Sequence, residues 1–332
     1  MTTNRGAKNK NYSGELDKLG AKIFEIGLIR KPFVYDIRGL LRLLSEMKNA
    51  DITYIFEPPP GLGPLLAICS AILKKKTIRG RHNPFHYTSD ISGGTPKHLK
   101  LVRLYEKTNL FFDSFFTINH VQNTIHRDYL LKQGFANVVV IPACLDFSDY
   151  SPGVKFPEFT ALFLGRMNYH KGTDRIPSII REVNARTEKI RFIIGGGGLL
   201  EKDLKAKLSS EENVVFAGFV DEREKMRLLS SCHVLISPTR VEAFMLSGVE
   251  AMASGTPVIT FNVPGPSDYV QNGINGFLCD DTDSCASGIF ELHNRWKNGT
   301  YGEMSMAARR TGEGFDCSLI LKSMEEVFKR TA

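Results

Sequence analysis

Two carboxylates eight residues apart, Glu242 and Glu250, are conspicuous because their surroundings carry no other charge: Glu250 is the only charged residue from 243 to 267. Leu246, Val249 and Ala253 recur at helical spacing, Gly255 is a helix stop, and Pro257-Val-Ile-Thr-Phe261 has the β-branched look of a buried strand. Glu250 is therefore predicted on a short helix with few polar neighbours. A carboxylate in such a place must be satisfied by something, and the vicinal hydroxyls of a ligand would do so bidentately. Upstream, Arg166 and Lys171 lie five residues apart behind an apolar run. A guanidinium fork and an ammonium on one loop suit a diphosphate, and a helix beginning near Gly172 adds its N-terminal dipole. The run Gly195 to Gly198 either lets backbone approach a phosphate or makes a tight strand-to-helix turn. Asp281-Thr282-Asp283 has the Asp-x-Asp pattern of a metal site but stands at a helix start, where Asp caps; no metal is expected.

The elements that must hold these residues alternate between strand and helix. Strands are expected in the first half over 21–26, 52–56, 77–81, 115–118 and 138–141, with helices over 35–48, 64–73, 97–111 and 121–132. In the second half strands are expected over 161–164, 191–194, 214–216, 234–236 and 257–260, each followed by a helical segment. This is the pattern of two doubly wound parallel sheets, joined by a Pro- and Gly-bearing linker over 142–159. Ligands of such sheets bind at the carboxyl ends of the strands, where the Arg166, Gly195 and Glu242 loops all fall.

The block Glu242-x7-Glu250, followed by Ala-Met-Ala-x-Gly-x-Pro-Val-Ile and by Pro264-Gly265-Pro-Ser-Asp268, resembles the retaining glycosyltransferases of family 4. The resemblance extends to Gly165-Arg166…Lys171-Gly172-x-Asp174, to Gly195-Gly-Gly197-Gly and to Val215-Phe-Ala-Gly218-Phe-Val. It implies a GT-B fold, α/β with two Rossmann-like domains facing a cleft: 1–150 on the acceptor side, 151–315 for the donor, and a C-terminal helix over 316–332 that can cross back. It implies that Arg166 and Lys171 hold the donor diphosphate, Glu250 the ribose, and Glu242 the donor sugar. Backbone around Gly218 and Val220 would meet the base, and N–H groups near Phe244, Met245 and Leu246 would stand in for a metal. His82, in Ile78-Arg-Gly-Arg-His82, would position the transfer together with Glu242.

Met245 departs from the family, which often has a small residue there, so its side chain must turn aside or narrow the donor pocket. Phe56 stands where a second histidine is frequent, and Ala143-Cys144 where Asn-Gly is usual. Met1-Thr-Thr-Asn-Arg-Gly looks like the tail of a second strand, so roughly one βαβ unit of about 30 residues is expected to be absent from the first domain.

Composition narrows the classes. The 332 residues, 42% hydrophobic, suffice for two domains. Six cysteines without Cys-x-x-Cys or zinc spacing are expected as free thiols in a reducing cytosol. The apolar run 62–73 is too short to span a bilayer, and the polar, basic first ten residues do not form a signal peptide. Residues 1–150 hold 21 Lys plus Arg against 13 Asp plus Glu, net +8, whereas the remainder nets −1. The basic half suggests an anionic partner. Lys74, Lys75 and Lys76 after the apolar run suit a membrane face, or simply a helix end. Nucleic acid is not expected, because the basic half lacks interleaved aromatics. The expected protein is a cytoplasmic, peripherally membrane-associated, metal-independent transferase that takes a UDP- or GDP-sugar to a glycolipid or growing surface glycan. An inactive nucleotide-sugar binder or scaffold and a nucleotide-sugar epimerase remain open.

Overall fold

The structure is a computed structural model that describes residues 37–56, 62–81, 96–187 and 190–331. Its described residues group into two compact units. One draws on Met1–Gly80, Tyr105–Asn119 and Phe328–Ala332, the other on Arg81–Leu104 and His120–Val327.

In the first unit, helix Ile37–Asn49 precedes strand β1 (Ile52–Phe56), and helix Leu62–Leu73 connects it to β2 (Lys76–Gly80). β1 and β2 pair in parallel from Ile52↔Lys76 to Phe56↔Gly80, an arrangement that requires a crossover such as this helix. Met47, Ile55, Leu66 and Phe116 form the small core between them. A side chain at Gly80 would come within 2.4 Å of the Phe56 ring, so Phe56 and Tyr54 would have to shift to admit one. With β3 at Ile118–Val121 and β4 at Val138–Val140, the four-stranded sheet has the order β1-β2-β3-β4. β3 begins three residues later than the strand expected over 115–118. Phe115 and Phe116 belong instead to the turn that ends helix Pro96–Asp113, their N–H groups donating back to Phe112 and Asp113 carbonyls. The true strand carries buried Asn119 and His120, which hide it from an apolar pattern. The strand expected over 21–26 lies outside the described residues.

The second sheet lies wholly within the second unit and has six strands: β5 (Thr160–Leu164), β6 (Arg191–Gly195), β7 (Val214–Gly218), β8 (Val234–Ser237), β9 (Val258–Phe261) and β10 (Gly276–Cys279). They form one sheet in the order β10-β9-β8-β5-β6-β7. All five pairings are parallel. The inner strands are buried on both faces, with Phe159, Ile179, Phe192 and Ile289 in one core and Leu162, Leu235, Val249 and Met252 in the other, while edge strand β7 is only partly buried. β10 has no strong sequence signal, opening on Gly276, where a Cβ would lie 2.1 Å from the Val258 carbonyl oxygen.

The expectation of six free thiols is corrected: Cys144 and Cys317, 173 positions apart in sequence, form a disulfide with Cα atoms 4.9 Å apart. Tertiary pairing brings them together, since Leu145 N–H donates to the Phe315 carbonyl and Cys317 N–H to the Leu145 carbonyl. Cys69, Cys232, Cys279 and Cys285 are free.

Candidate functional site

β5 lies between β6 and β8, so the strand order reverses there, and the loops at its carboxyl end stand where ligands of such sheets bind. Two loops meet there: residues 165–172 after β5 and 238–245 after β8. Several contacts fasten them together. Arg240 N–H donates to the His170 carbonyl at 2.8 Å. The Arg240 guanidinium grips both oxygens of Asp174 at 2.6 and 2.7 Å, and lies 3.7 Å from the Tyr169 ring centre. Burial alone would raise the Asp174 pKa, but the Arg240 hydrogen bonds outweigh it and hold the carboxyl below its ordinary value. Gly172 has φ +66°, and a Cβ there would collide with the Pro238 carbonyl at 1.7 Å. The turn that delivers Lys171 to the β8 loop therefore requires glycine.

Lys171 and Glu242, 71 residues apart in sequence, form an ion pair across this junction, with the Glu242 side chain only 12% exposed. The Lys171 N–H is fixed by the Asn168 side chain at 2.9 Å. Arg166 stands exposed at the head of the same loop. Behind Glu242 the chain turns through Met245, a non-glycine residue at φ +65°, ψ +69°, and enters helix Leu246–Ala253. Such a conformation persists only where neighbours enforce it. Here the Met245 carbonyl accepts from Tyr269 Oη at 3.0 Å and from Gly248 N–H at 2.9 Å. The Met245 side chain is 3% exposed, against Gly248 and Thr260, so it turns aside into the core rather than standing in the crevice. Phe244 is likewise an inward residue, packed on Tyr269 and Phe315. What this turn offers is backbone: among the described residues the N–H groups of Phe244, Met245 and Leu246 donate no hydrogen bond. A helix N-terminus with unused N–H groups is suited to an anion.

Glu250 sits one turn further along that helix, buried. Its Oε1 accepts from Tyr150 Oη at 3.0 Å and from Lys225 Nζ at 2.8 Å. Burial first, and then the Glu250 carboxylate, pushes the Tyr150 phenol far above its ordinary value, so it remains a proton donor. Neither partner was predicted. They come from the linker and from helix Glu222–Ser231, and no sequence pattern joins them to Glu250.

The glycine run works between loops. A Cβ on Gly196 would lie 2.0 Å from the Gly165 carbonyl oxygen, and one on Gly198 2.5 Å from that of Met167. These glycines let the β6 loop lie against the β5 loop, with Met167 N–H donating to the Gly197 carbonyl at 2.9 Å. Gly218, at φ +66°, ends β7 and accepts from Gly196 N–H at 2.7 Å, and Val220 packs on the same core as Glu250's helix. Asp281 caps helix Thr282–Lys297 in a reciprocal capping box with Ser284, and Asp283 pairs with Arg186. The β8 loop has one more brace missed in sequence: Asn123 Nδ2 donates to the Ala243 carbonyl at 2.7 Å, while Thr124 N–H and Oγ1 clamp Asp268 at 2.7 and 2.6 Å. His82 lies outside the described residues.

Residues 151–309 match the profile of the family Glycosyl transferases group 1. An uncharacterized glycosyltransferase of Methanocaldococcus jannaschii is 30% identical over 188 residues, 54% of this chain and 47% of that protein. A component of human phosphatidylinositol N-acetylglucosaminyltransferase is 24% identical over 231 residues, 68% of this chain and 46% of that protein. The chain thus spans about half the length of these curated relatives. Among solved structures, Anabaena HepE in complex with UDP superposes with a TM-score of 0.76 at 16% identity, covering 96% of this chain and 89% of that one. TarM superposes with a TM-score of 0.72 at 22% identity, covering 87% and 56%. The fold is GT-B-like: α/β, with two sheets of the doubly wound kind.

Proposed function

We propose that this chain moves a sugar, with retention at its anomeric carbon and without a metal ion, from a UDP- or GDP-linked donor to a glycan or lipid-linked acceptor. The observation that carries the reading is the Lys171–Glu242 pair at the sheet's switch point, beside the unused N–H groups of Phe244, Met245 and Leu246. Breaking the bond between the anomeric carbon and the phosphate sends an electron pair to a phosphate oxygen. Arg166, Lys171 and the helix N-terminus supply positive charge for that oxygen in place of a cation. Glu242, braced by Lys171, is the carboxylate beside the sugar, and Glu250 receives the ribose. The Asp-x-Asp pattern is engaged in capping and in the Arg186 pair, which supports a metal-independent reading. HepE was solved with UDP and the human relative is named for transfer to phosphatidylinositol, and both fit a nucleotide-sugar donor and a lipid-linked acceptor here.

The acceptor side is read from the first unit, where a cavity of about 430 Å³ opens between helices Ile37–Asn49 and Leu62–Leu73, lined by Leu41, Leu44, Ile72 and Leu73 with Lys48 at its edge. An apolar lining with cations nearby favours an anionic lipid surface.

Calorimetry tests the donor site. Arg166→Ala and Lys171→Ala should each weaken UDP or GDP binding by about 10- to 150-fold, the value of a charge-assisted hydrogen bond, and leave uridine or guanosine binding unchanged. Equal losses for nucleotide and nucleoside would show that neither side chain touches phosphate. A product of inverted anomeric configuration would refute retention, and nucleotide binding without turnover on any acceptor would favour the inactive binder.

A further inference from the structure

The Glu250 carboxylate is not presented as a symmetric fork. A carboxylate oxygen has two lone-pair directions, and Oε1 fills both, one with Tyr150 Oη at 3.0 Å and the other with Lys225 Nζ at 2.8 Å. Oε2 accepts no hydrogen bond among the described residues. Both donors are themselves held. Lys225 Nζ is also bound to Glu222 Oε2 at 2.8 Å, which keeps the ammonium on its own helix face. The Tyr150 carbonyl accepts from Arg309 at 3.2 Å. The chain just before Tyr150 is fastened to residues 315–317 by the Cys144–Cys317 disulfide, two backbone hydrogen bonds, and Phe147 N–H on Asp316 Oδ2 at 3.0 Å. Two donors from separate segments, each braced by further contacts, therefore engage one carboxylate oxygen and leave the other unengaged among the described residues.

We infer that Lys225 and Tyr150 are specificity-setting positioning residues: by occupying Oε1 of Glu250 they leave Oε2 to read one hydroxyl of a nucleotide's ribose, so that the two vicinal hydroxyls are recognised unequally. The inference rests on the nucleotide reading above and deepens it. A fork that paired each hydroxyl with its own oxygen would make the 2′- and 3′-hydroxyls count alike, and the fixed ammonium and phenol preclude that pairing. The arrangement also keeps the carboxylate's charge paired before any ligand arrives, so binding does not have to strip water from an isolated buried anion.

The test compares UDP and GDP with their 2′-deoxy and 3′-deoxy forms by calorimetry on the full chain. In the unsubstituted protein one deoxy analogue should bind at least 10-fold more weakly than the parent nucleotide, and the other within about threefold. In the double variant Lys225→Met, Tyr150→Phe, Oε1 is released and the two analogues should converge to penalties within about threefold of each other. Lys225→Arg, which keeps a cationic donor, should preserve the original inequality. Thermal melts confirm that each variant is folded, and a role confined to stability would move the melts without moving the ratio of the two penalties. Equal penalties in the unsubstituted protein, or an inequality that survives the double variant, would overturn the inference while leaving the nucleotide site standing. Failure of the unsubstituted protein to bind UDP or GDP at all would overturn the nucleotide reading itself, and this inference with it.

Discussion

His233 shows how a single buried side chain ties stability to pH. Its ring is enclosed by Phe159, Trp296 and Tyr301, and its Nδ1 accepts the Thr160 N–H at 3.0 Å, a bond that only the neutral tautomer protonated on Nε2 can receive. Burial first, and then the nearby Lys155 and His293, presses its pKa down to about 3. The folded value lies below the unfolded value of about 6.5, so the unfolded chain takes up the proton first. Stability contributed by the neutral ring is complete above pH 6.5 and is lost as pH falls from there toward 3, amounting to roughly 2 kcal/mol at pH 5. The melting temperature should therefore drop between pH 7 and 5, and His233→Asn, which keeps an acceptor for Thr160, should flatten that slope. An unchanged slope would assign the acid sensitivity to other groups.

At the scale of elements, the Asp281-Thr282-Asp283 stretch serves as a helix start and a disulfide ties two distant segments together. Helix Thr282–Lys297 begins at Asp281, whose carboxylate accepts from Ser284 N–H at 2.8 Å. Asp281→Ala should cost about 1 kcal/mol of stability, as lost caps do, and leave UDP or GDP affinity unchanged with and without Mn²⁺. A metal-dependent loss of affinity in that variant would restore the metal reading. The Cys144–Cys317 bond ties the segment before Tyr150 to the start of helix Cys317–Thr331. Reduction, or Cys144→Ser, should lower stability by roughly 2–4 kcal/mol, since the bond closes a long loop of chain. Equal melting temperatures with and without dithiothreitol would show that the backbone pairing of Leu145 suffices alone.

At the scale of the whole molecule the distribution of charge bears on the proposed lipid-linked acceptor. Residues 1–150 carry the net +8, and the first unit bears exposed Leu41 and Ile72 beside the basic stretch Lys74 to Lys76. No helix among the described residues is long and apolar enough to cross a membrane. Binding to vesicles should rise with acidic lipid, fall with salt, and drop when Lys74, Lys75 and Lys76 are changed to Glu, at about 1 kcal/mol per cation. Lys75 already donates to the Ala50 carbonyl at 3.0 Å, so Lys75→Glu should weaken vesicle binding less than Lys74→Glu does. Salt-insensitive binding, or none, would favour a soluble acceptor.

What the sequence determined by itself is what neighbouring residues dictate. Hydrophobic period and glycine punctuation placed nine of the ten described strands to within a few residues, and put Arg166, Lys171 and Glu242 on loops at strand ends, because those signals arise within a dozen residues of chain. The strand at Gly276–Cys279 escaped because it opens on a glycine directly after the turn residues Gly273-Ile-Asn, and β3 was displaced because buried Asn119 and His120 broke the apolar pattern. Only the tertiary structure decided the partners. Lys225 and Tyr150 lie 25 and 100 residues from Glu250, Cys144 lies 173 from Cys317, and Arg240 lies 66 from Asp174. The Met245 side chain turned inward for the same reason, because Gly248 and Thr260 offered it space that no local pattern records. A side chain's type is written in the sequence, but which group meets it depends on the order in which parallel strands are laid side by side, and that order is a property of the packed sheet.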